Sequence, residues 1–78
     1  MLGGTNVRLI EIPAARCATY LFKGPYSELE KPYRWLYDTW LAQSREEIGN
    51  HPPFEEYLND ARTTPPKELL TRICIPLS

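Results

Sequence analysis

A carboxylate beside an aromatic ring is the feature of this sequence best suited to binding chemistry. Glu55 and Tyr57 lie two residues apart in the segment Phe-Glu-Glu-Tyr-Leu (54–58), which is typical of a β-strand. Because side chains alternate along a strand, Glu55 and Tyr57 are predicted to share one face. A carboxylate that pairs with a positive charge, next to a ring that offers cation–π attraction, suits an organic cation. The alternative interpretation is an ordinary strand face with a solvated glutamate.

Two further aromatic residues belong to this hypothesis. In the predicted strand 16–23, alternation places Tyr20 and Phe22 on one face. We expect this face to be the one that carries Glu55 and Tyr57, on the side of the sheet away from the helix. Together the four side chains form the candidate ligand-binding set.

The assignment of faces depends on the apolar residues of the segment 54–58. If Phe54 and Leu58 pack under the helix, Glu55 must point away from it. Glu56 then falls on the helix side. It either reaches water at a sheet edge or pairs with an arginine, and the sequence leaves both options open.

Catalytic and metal-binding patterns are absent from the sequence. His51 is the only histidine, in a predicted loop, and no nucleophile is positioned beside it. Cys17 and Cys74 have no metal or redox spacing and are interpreted as buried free thiols. No glycine-rich phosphate loop occurs. We therefore expect no catalysis, no cofactor and no metal.

Length and charge restrict the class of protein. The 78 residues suffice for one small domain, and the formal net charge of −1 argues against a bare nucleic-acid binder. No apolar run approaches the length of a membrane span, and no secretory signal opens the chain. With its free cysteines, the chain is expected to be cytoplasmic.

One long helix is predicted over 27–44. Ser27 and Glu30 have the spacing of a capping box, and Pro32 belongs in a first turn, so the helix begins either at Ser27 or just before Pro32. Trp35 lies off the apolar face. It is either an exposed partner contact or a ring lying flat on a neighbouring loop. The apolar face itself consists of Leu29, Tyr33, Leu36, Tyr37 and Trp40.

The order of elements predicts an α+β fold. Strands are expected at 7–12, 16–23, 54–58 and 69–77 around the helix, which predicts a four-stranded antiparallel sheet with the helix on one face. Residues 1–6 are expected to be flexible, and 7–78 to form a single module. The predicted core under the helix consists of Leu29, Leu36, Trp40, Phe54, Leu58, Ile73 and Ile75.

Five segments together carry a resemblance to a known family. They are the opening strand 7–18, the Lys-Gly-Pro-Tyr turn at 23–26, the Leu-Tyr-Asp-Thr-Trp-Leu helix at 36–41, Phe-Glu-Glu-Tyr at 54–57 and the ending Ile-Cys-Ile-Pro-Leu at 73–77. As an ordered set they resemble the bacterial gyrase-inhibitory-protein-like family. That family includes the effector-binding domains of some AraC-type and multidrug-responsive regulators.

The resemblance implies a specific architecture and site. Family members contain two β-α-β-β modules about a pseudo-twofold axis, with the ligand cleft between them, and this chain corresponds to the second module, half of such a domain. The family's acidic cleft residue falls on Glu55, with Tyr57 beside it. The chain carries no helix-turn-helix motif of its own.

Three functions follow, in order of preference. The first is a small-molecule-binding module for hydrophobic, cationic ligands, working as a homodimer whose two copies rebuild the two-module architecture with both Glu55 residues near one groove. The second is a protein-interaction module acting on DNA gyrase or another partner, with Trp35 as a contact. The third is hydrolysis of reactive small molecules, in which Glu55 would activate water.

Overall fold

The described part of the chain contains four antiparallel strands and one helical run. The computed structural model describes residues 7–13 and 15–78. The predicted α+β fold is confirmed, with sheet order β1-β2-β4-β3, whereas the predicted flexible segment 1–6 lies outside the described residues. The strands are β1 (Val7–Ile12), β2 (Ala15–Lys23), β3 (Phe54–Tyr57) and β4 (Leu70–Leu77).

The helical run, α1 (30–44), contains an irregular turn. Regular α-helix over Glu30–Trp35 gives way to a π-helical turn over Leu36–Trp40, and α-helix resumes over Leu41–Ser44. The backbone amide of Leu41 donates to the carbonyl of Leu36, five residues back. The run ends at Arg45, whose φ of 64° is left-handed and breaks the hydrogen-bonding pattern.

The start of α1 differs from the predicted capping box. A 3₁₀ turn over Tyr26–Glu28 precedes the helix, and Leu29 occupies the N-cap position without a side-chain cap. Ser27 lies inside that turn, and the Glu30 carboxylate accepts a hydrogen bond from Arg34 at 2.7 Å. Pro32 lies in the first helical turn, as predicted, where its missing amide hydrogen is not needed.

The register of the sheet fixes which residues lie under α1. Ile73 of β4 lies opposite Tyr20 of β2 on one side and opposite Glu55 of β3 on the other. Residues directly opposite in a ladder point to the same face. Leu36 of α1 belongs to the same buried cluster as Tyr20 and Ile73, so this face is the helix face.

The predicted placement of Phe54 and Leu58 under the helix is wrong. Phe54 lies opposite Cys74, on the face away from α1, and both predicted core residues keep 42% of their surface exposed. The reason is that β3 is an edge strand: its polar face can turn inward because tyrosine hydroxyls satisfy the Glu55 carboxylate. The other predicted core residues behave as expected, with Leu36, Ile73 and Ile75 buried and Leu29 and Trp40 half-buried against them.

Trp35 packs against the sheet and does not point away from it. Its ring centroid lies 6.0 Å from that of Tyr20, at an interplanar angle of 45°. The sheet extends on both sides of α1, so Trp35 contacts β2 on one flank while Tyr33 reaches β3 on the other. The buried helix surface is therefore wider than a 3.6-residue stripe predicts.

The face away from α1 carries Glu56 and the two thiols. Glu56 was expected on the helix side, but it lies opposite Arg72 and forms an ion pair with it at 2.9 Å. Cys17 and Cys74 are buried free thiols, as predicted. Burial, followed by the nearby Glu56 carboxylate, raises the pKa of Cys74 to about 11, so this thiol is a poor nucleophile at neutral pH.

Candidate functional site

A carboxylate held by two phenols joins the edge strand to the helix. The hydroxyl of Tyr33, on α1, donates to Oε2 of Glu55 at 2.6 Å. The hydroxyl of Tyr57, two residues along β3, donates to Oε1 at 2.7 Å. Each carboxylate oxygen therefore has one phenol donor, and each keeps a further lone pair for another partner.

Two more tyrosines complete the group. The rings of Tyr33 and Tyr37 stack with centroids 6.5 Å apart and an interplanar angle of 11°. The rings of Tyr26 and Tyr57 lie 5.2 Å apart, tilted at 52°. We call these four tyrosines and Glu55 the tyrosine cluster.

Local backbone rules place each member of the cluster. Tyr33 and Tyr37 are four residues apart, so a helix presents them as neighbours on one flank. Tyr26 opens the 3₁₀ turn that follows Gly24. Gly24 has a φ of 154°, and the ring of Phe22 lies so close that an added Cβ would stand 2.9 Å from its Cζ, so glycine is required at this turn.

The cluster changes the acidity of its phenols. Burial, and then the hydrogen bond to Glu55, raises the pKa of Tyr33. The hydrogen bond to Glu55 is the main cause of the raised pKa of Tyr57, and burial raises the pKa of Tyr37. These phenols stay neutral at physiological pH and act as hydrogen-bond donors around an acceptor. The arrangement favours an added positive charge over a negative one.

The comparison with known protein families agrees with a binding role. The family described as the GyrI-like small molecule binding domain matches residues 3–78. The chain belongs to this family. The matched region includes the sheet, the helix and every member of the tyrosine cluster. The GyrI-like chain is therefore a small-molecule-binding module.

In the GyrI-like chain, two of the four predicted site residues are in contact, and the other two are separated from them by β4. Glu55 and Tyr57 share a face and touch, but this is the helix face and not the opposite one. Tyr20 is buried under α1, two strands away from Glu55 with Ile73 between them. Phe22 is separated from Tyr57 in the same way, by Thr71.

Sequence reasoning missed Tyr26, Tyr33 and Tyr37 as site residues. Tyr33 and Tyr37 were placed in the apolar stripe of the helix, although their hydroxyls distinguish them from its leucines. The signal that could have identified them is a tyrosine pair at i and i+4 in a chain that also holds a glutamate within a strand, because a half-buried carboxylate needs donors.

An orphaned hydroxyl lies beside the cluster. Thr71 is fully buried on the helix face, directly opposite Tyr57, and its Oγ1 has no hydrogen-bond partner among residues 7–13 and 15–78. Leaving a buried hydroxyl unpaired costs about 1–3 kcal/mol. The Thr71 hydroxyl is therefore an unsatisfied buried polar group next to the site.

The described residues form neither a group of metal ligands nor a membrane-spanning helix. Within the part of the chain that the structure describes, no three His, Cys, Asp or Glu residues are grouped as metal ligands. Among the same residues, the helical segments are too short or too polar to cross a bilayer.

Proposed function

We propose that the tyrosine cluster binds hydrophobic organic cations, with Glu55 as the charge partner and the tyrosine rings as walls. The observation that carries the proposal is the pair of hydrogen bonds that fix the Glu55 carboxylate among four aromatic rings. The carboxylate is already oriented and half-buried, so a cation gains more from it than from a free surface glutamate. Ring faces add cation–π attraction of about 0.5–2 kcal/mol.

Exposure supports access to the cluster from solvent. Tyr57 keeps 60% of its surface exposed and Tyr26 keeps 37%, so the tilted ring pair borders the outside. Tyr33 and Tyr37 lie deeper, against the core. A hydrophobic cation can therefore approach along Tyr26 and Tyr57 and reach the side of the Glu55 carboxylate that the phenols leave free.

Two probes of equal shape and opposite charge test the proposal. Tetraphenylphosphonium should bind, whereas tetraphenylborate should not, as measured by isothermal titration calorimetry. Glu55→Gln keeps the shape of the side chain and removes its charge, and should weaken tetraphenylphosphonium binding about tenfold. The control is Glu30→Gln, on the exposed side of α1, which should change the affinity by less than about twofold. Equal affinity of wild type and Glu55→Gln would exclude charge pairing.

We also propose a homodimer, through a different surface from the one that the sequence suggested. Tyr20 and Phe22 were expected to form an open patch, but they lie on the helix face. The outer edge of β1 pairs with no strand within residues 7–13 and 15–78, and Leu9, on its helix face, is 50% exposed. Antiparallel pairing of β1 with β1 of a second copy would close this edge and put both helices on one face.

This dimer separates the two ligand sites. β1 and β3 are opposite edges of the sheet, so each Glu55 lies on the outer flank of its own helix. The predicted shared groove with two Glu55 residues is therefore replaced by two independent tyrosine clusters. Leu9 lies on the helix face of β1, and Trp35 packs against the neighbouring strand β2. Both residues are therefore on the flank of α1 nearer to the proposed contact.

Sedimentation velocity at micromolar concentration tests the dimer. Wild type should sediment as a dimer and Leu9→Glu as a monomer. Leu21→Glu is the matched control, because Leu21 is equally exposed at 50% but lies on the other face of the sheet, and it should remain dimeric. A monomeric wild type, or a monomer produced only by Leu21→Glu, would contradict the β1 interface.

Two other functions stay predictions. An interaction with DNA gyrase, through the part of Trp35 that its packing against Tyr20 leaves exposed, is tested by a pull-down with gyrase subunits in which a folded Trp35→Ala protein should lose binding. Hydrolysis with Glu55 as the base is tested by mass spectrometry of strained-ring substrates. Both carboxylate oxygens of Glu55 accept a hydrogen bond from a phenol, which leaves fewer lone pairs for a water molecule and favours binding over water activation.

A further inference from the structure

Two cavities meet at the end of the sheet where β2 begins and β4 ends. One, of about 320 Å³, has apolar walls and lies on the sheet face away from α1. The other, of about 390 Å³, has polar walls and adjoins it through two shared residues, Ala15 and His51. The apolar cavity is otherwise lined by Ile12, Pro52, Pro53, Phe54 and Pro76.

The loop that carries His51 is anchored to β4 by backbone contacts. The amide of Gly49 donates to the carbonyl of Pro76 at 2.9 Å, and Ile48 bridges to Leu77. A Cβ at Gly49 would stand 2.8 Å from the Leu77 carbonyl, so only glycine permits this approach. The chain then leaves the sheet edge and returns to it at β3.

Two prolines stiffen the loop between these anchors. Pro52 and Pro53 fix φ in the segment that borders the apolar cavity. A wall of this kind loses little conformational entropy when a ligand binds, which favours binding.

The polar cavity presents hydrogen-bond donors, one of which is already paired with an acidic side chain outside the cavity lining. Its lining includes the side chains of Arg16, Asn50 and His51 beside Gly49, Leu77 and Ser78, and no Asp or Glu side chain lines either cavity within the described residues. The Arg16 guanidinium donates to Glu46 at 2.6 Å, which orients it and leaves its other N–H groups free to donate. Planar arginine donors match the geometry of a carboxylate.

We propose that these two cavities form a second ligand site, specific for an amphipathic carboxylate. The alkyl or aryl part lies on the walls formed by Pro53, Phe54 and Pro76, and the carboxylate receives hydrogen bonds from Arg16 and Asn50. The apolar part of this site lies on the other side of the sheet from the tyrosine cluster, and the site prefers the opposite charge. It does not depend on cation binding at Glu55.

Octanoate is the probe, used below its micelle concentration with ¹⁵N-labelled protein. Octanoate should shift the backbone amides of 49–51 and of Ala15 and Arg16, whereas 1-octanol and octylammonium should bind at least about fivefold more weakly. Arg16→Gln should weaken octanoate binding about fivefold, because a charge-assisted donor is lost. Its fold should persist, since the Arg16–Glu46 pair is solvent-exposed.

Two more variants separate the apolar and polar contributions. Phe54→Ser should weaken octanoate and 1-octanol alike, because it removes part of the apolar wall. Arg34→Gln, an exposed arginine of α1 that lines neither cavity, should leave octanoate affinity within about twofold. Glu55→Gln should also leave it unchanged, which distinguishes this site from the tyrosine cluster.

Three outcomes would overturn the proposal. The first is an absence of shifts at 49–51 with octanoate. The second is equal binding of octanoate and 1-octanol, which would show that the polar cavity contributes nothing. The third is an Arg16→Gln protein that is folded by its ¹⁵N spectrum yet binds octanoate as wild type does.

Discussion

The hydroxyl of Tyr33 donates a 2.6 Å hydrogen bond to the carboxylate of Glu55, and this bond ties the helix to an edge strand. Among the strands that the structure describes, β3 pairs only with β4, and it has four residues. An edge strand of that length gains few ladder hydrogen bonds, so a side-chain bond to the helix is a substantial part of its attachment. The same bond orients the carboxylate that we propose as the ligand's charge partner.

Replacing Tyr33 by Phe should loosen this attachment. Tyr33→Phe leaves a half-buried carboxylate oxygen without its donor, and should lower the free energy of unfolding by about 1–2 kcal/mol in urea denaturation. Tyr57→Phe is the matched control, because its hydroxyl bonds the other oxygen at an exposed position, and it should cost less than about 0.5 kcal/mol. Equal losses in both variants would show that burial does not strengthen the Tyr33 bond.

The assignment of sheet faces predicts a large loss of stability for one leucine variant and a small loss for another. Leu36 is 1% exposed, so Leu36→Ala should lower the free energy of unfolding by about 2–5 kcal/mol. Leu58 is 42% exposed, so Leu58→Ala should cost less than about 1 kcal/mol. A loss of stability in Leu58→Ala as large as that in Leu36→Ala would instead support the arrangement in which Phe54 and Leu58 lie under the helix. Thermal and urea denaturation of the two variants provide the measurement.

Removing the orphaned hydroxyl of Thr71 should stabilise the protein. Thr71→Val replaces the unpaired Oγ1 by a methyl group of similar size, and should raise the free energy of unfolding by about 1 kcal/mol. Thr19→Val is the control with the opposite sign, since Thr19 donates to the Arg8 carbonyl at 3.2 Å and its loss should cost about 1 kcal/mol. A destabilised Thr71→Val protein would indicate that the Thr71 hydroxyl is bonded in solution.

The raised phenol pKa of Tyr33 predicts a loss of stability in alkali. An unfolded tyrosine ionises near pH 10, whereas the folded pKa of Tyr33 lies above that value. The stabilisation is therefore complete below about pH 10 and is lost as the pH rises towards the folded pKa. Urea midpoints between pH 8 and 11 should fall for wild type. They should fall less for Tyr33→Phe, and parallel curves would contradict the pKa shift.

Part of this arrangement follows from the sequence. Alternation correctly pairs Glu55 with Tyr57 and Tyr20 with Phe22, and the segment types give the sheet, the single helix and the central position of β2. Alternation does not say which face is inward. That choice depends on the order β1-β2-β4-β3, which makes β3 an edge strand, and on hydroxyl donors that come from a distant helix.

The detailed geometry of the helix is a second feature that the sequence did not predict. The π-helical turn over Leu36–Trp40 and the wide buried surface of α1 depend on contacts to both flanks of the sheet. A regular 3.6-residue period places Trp35 in solvent, whereas its ring lies against Tyr20. Likewise, the loop anchored by Gly49 owes its position to pairing with β4, which local sequence does not report.

The position of β4 sets the order of events while the protein is being synthesised. This strand follows β1, β2, α1 and β3 in sequence and is a central one in the sheet, where it pairs with β2 across about fifty intervening residues. The β1–β2 hairpin and the helix can form early, but the parts of their apolar faces that pack on β4 have no partner until 70–77 has left the ribosome. Until then the buried surfaces of Tyr20 and Leu36 remain exposed to chaperones and proteases. The nascent chain should therefore become protease-resistant in one late step.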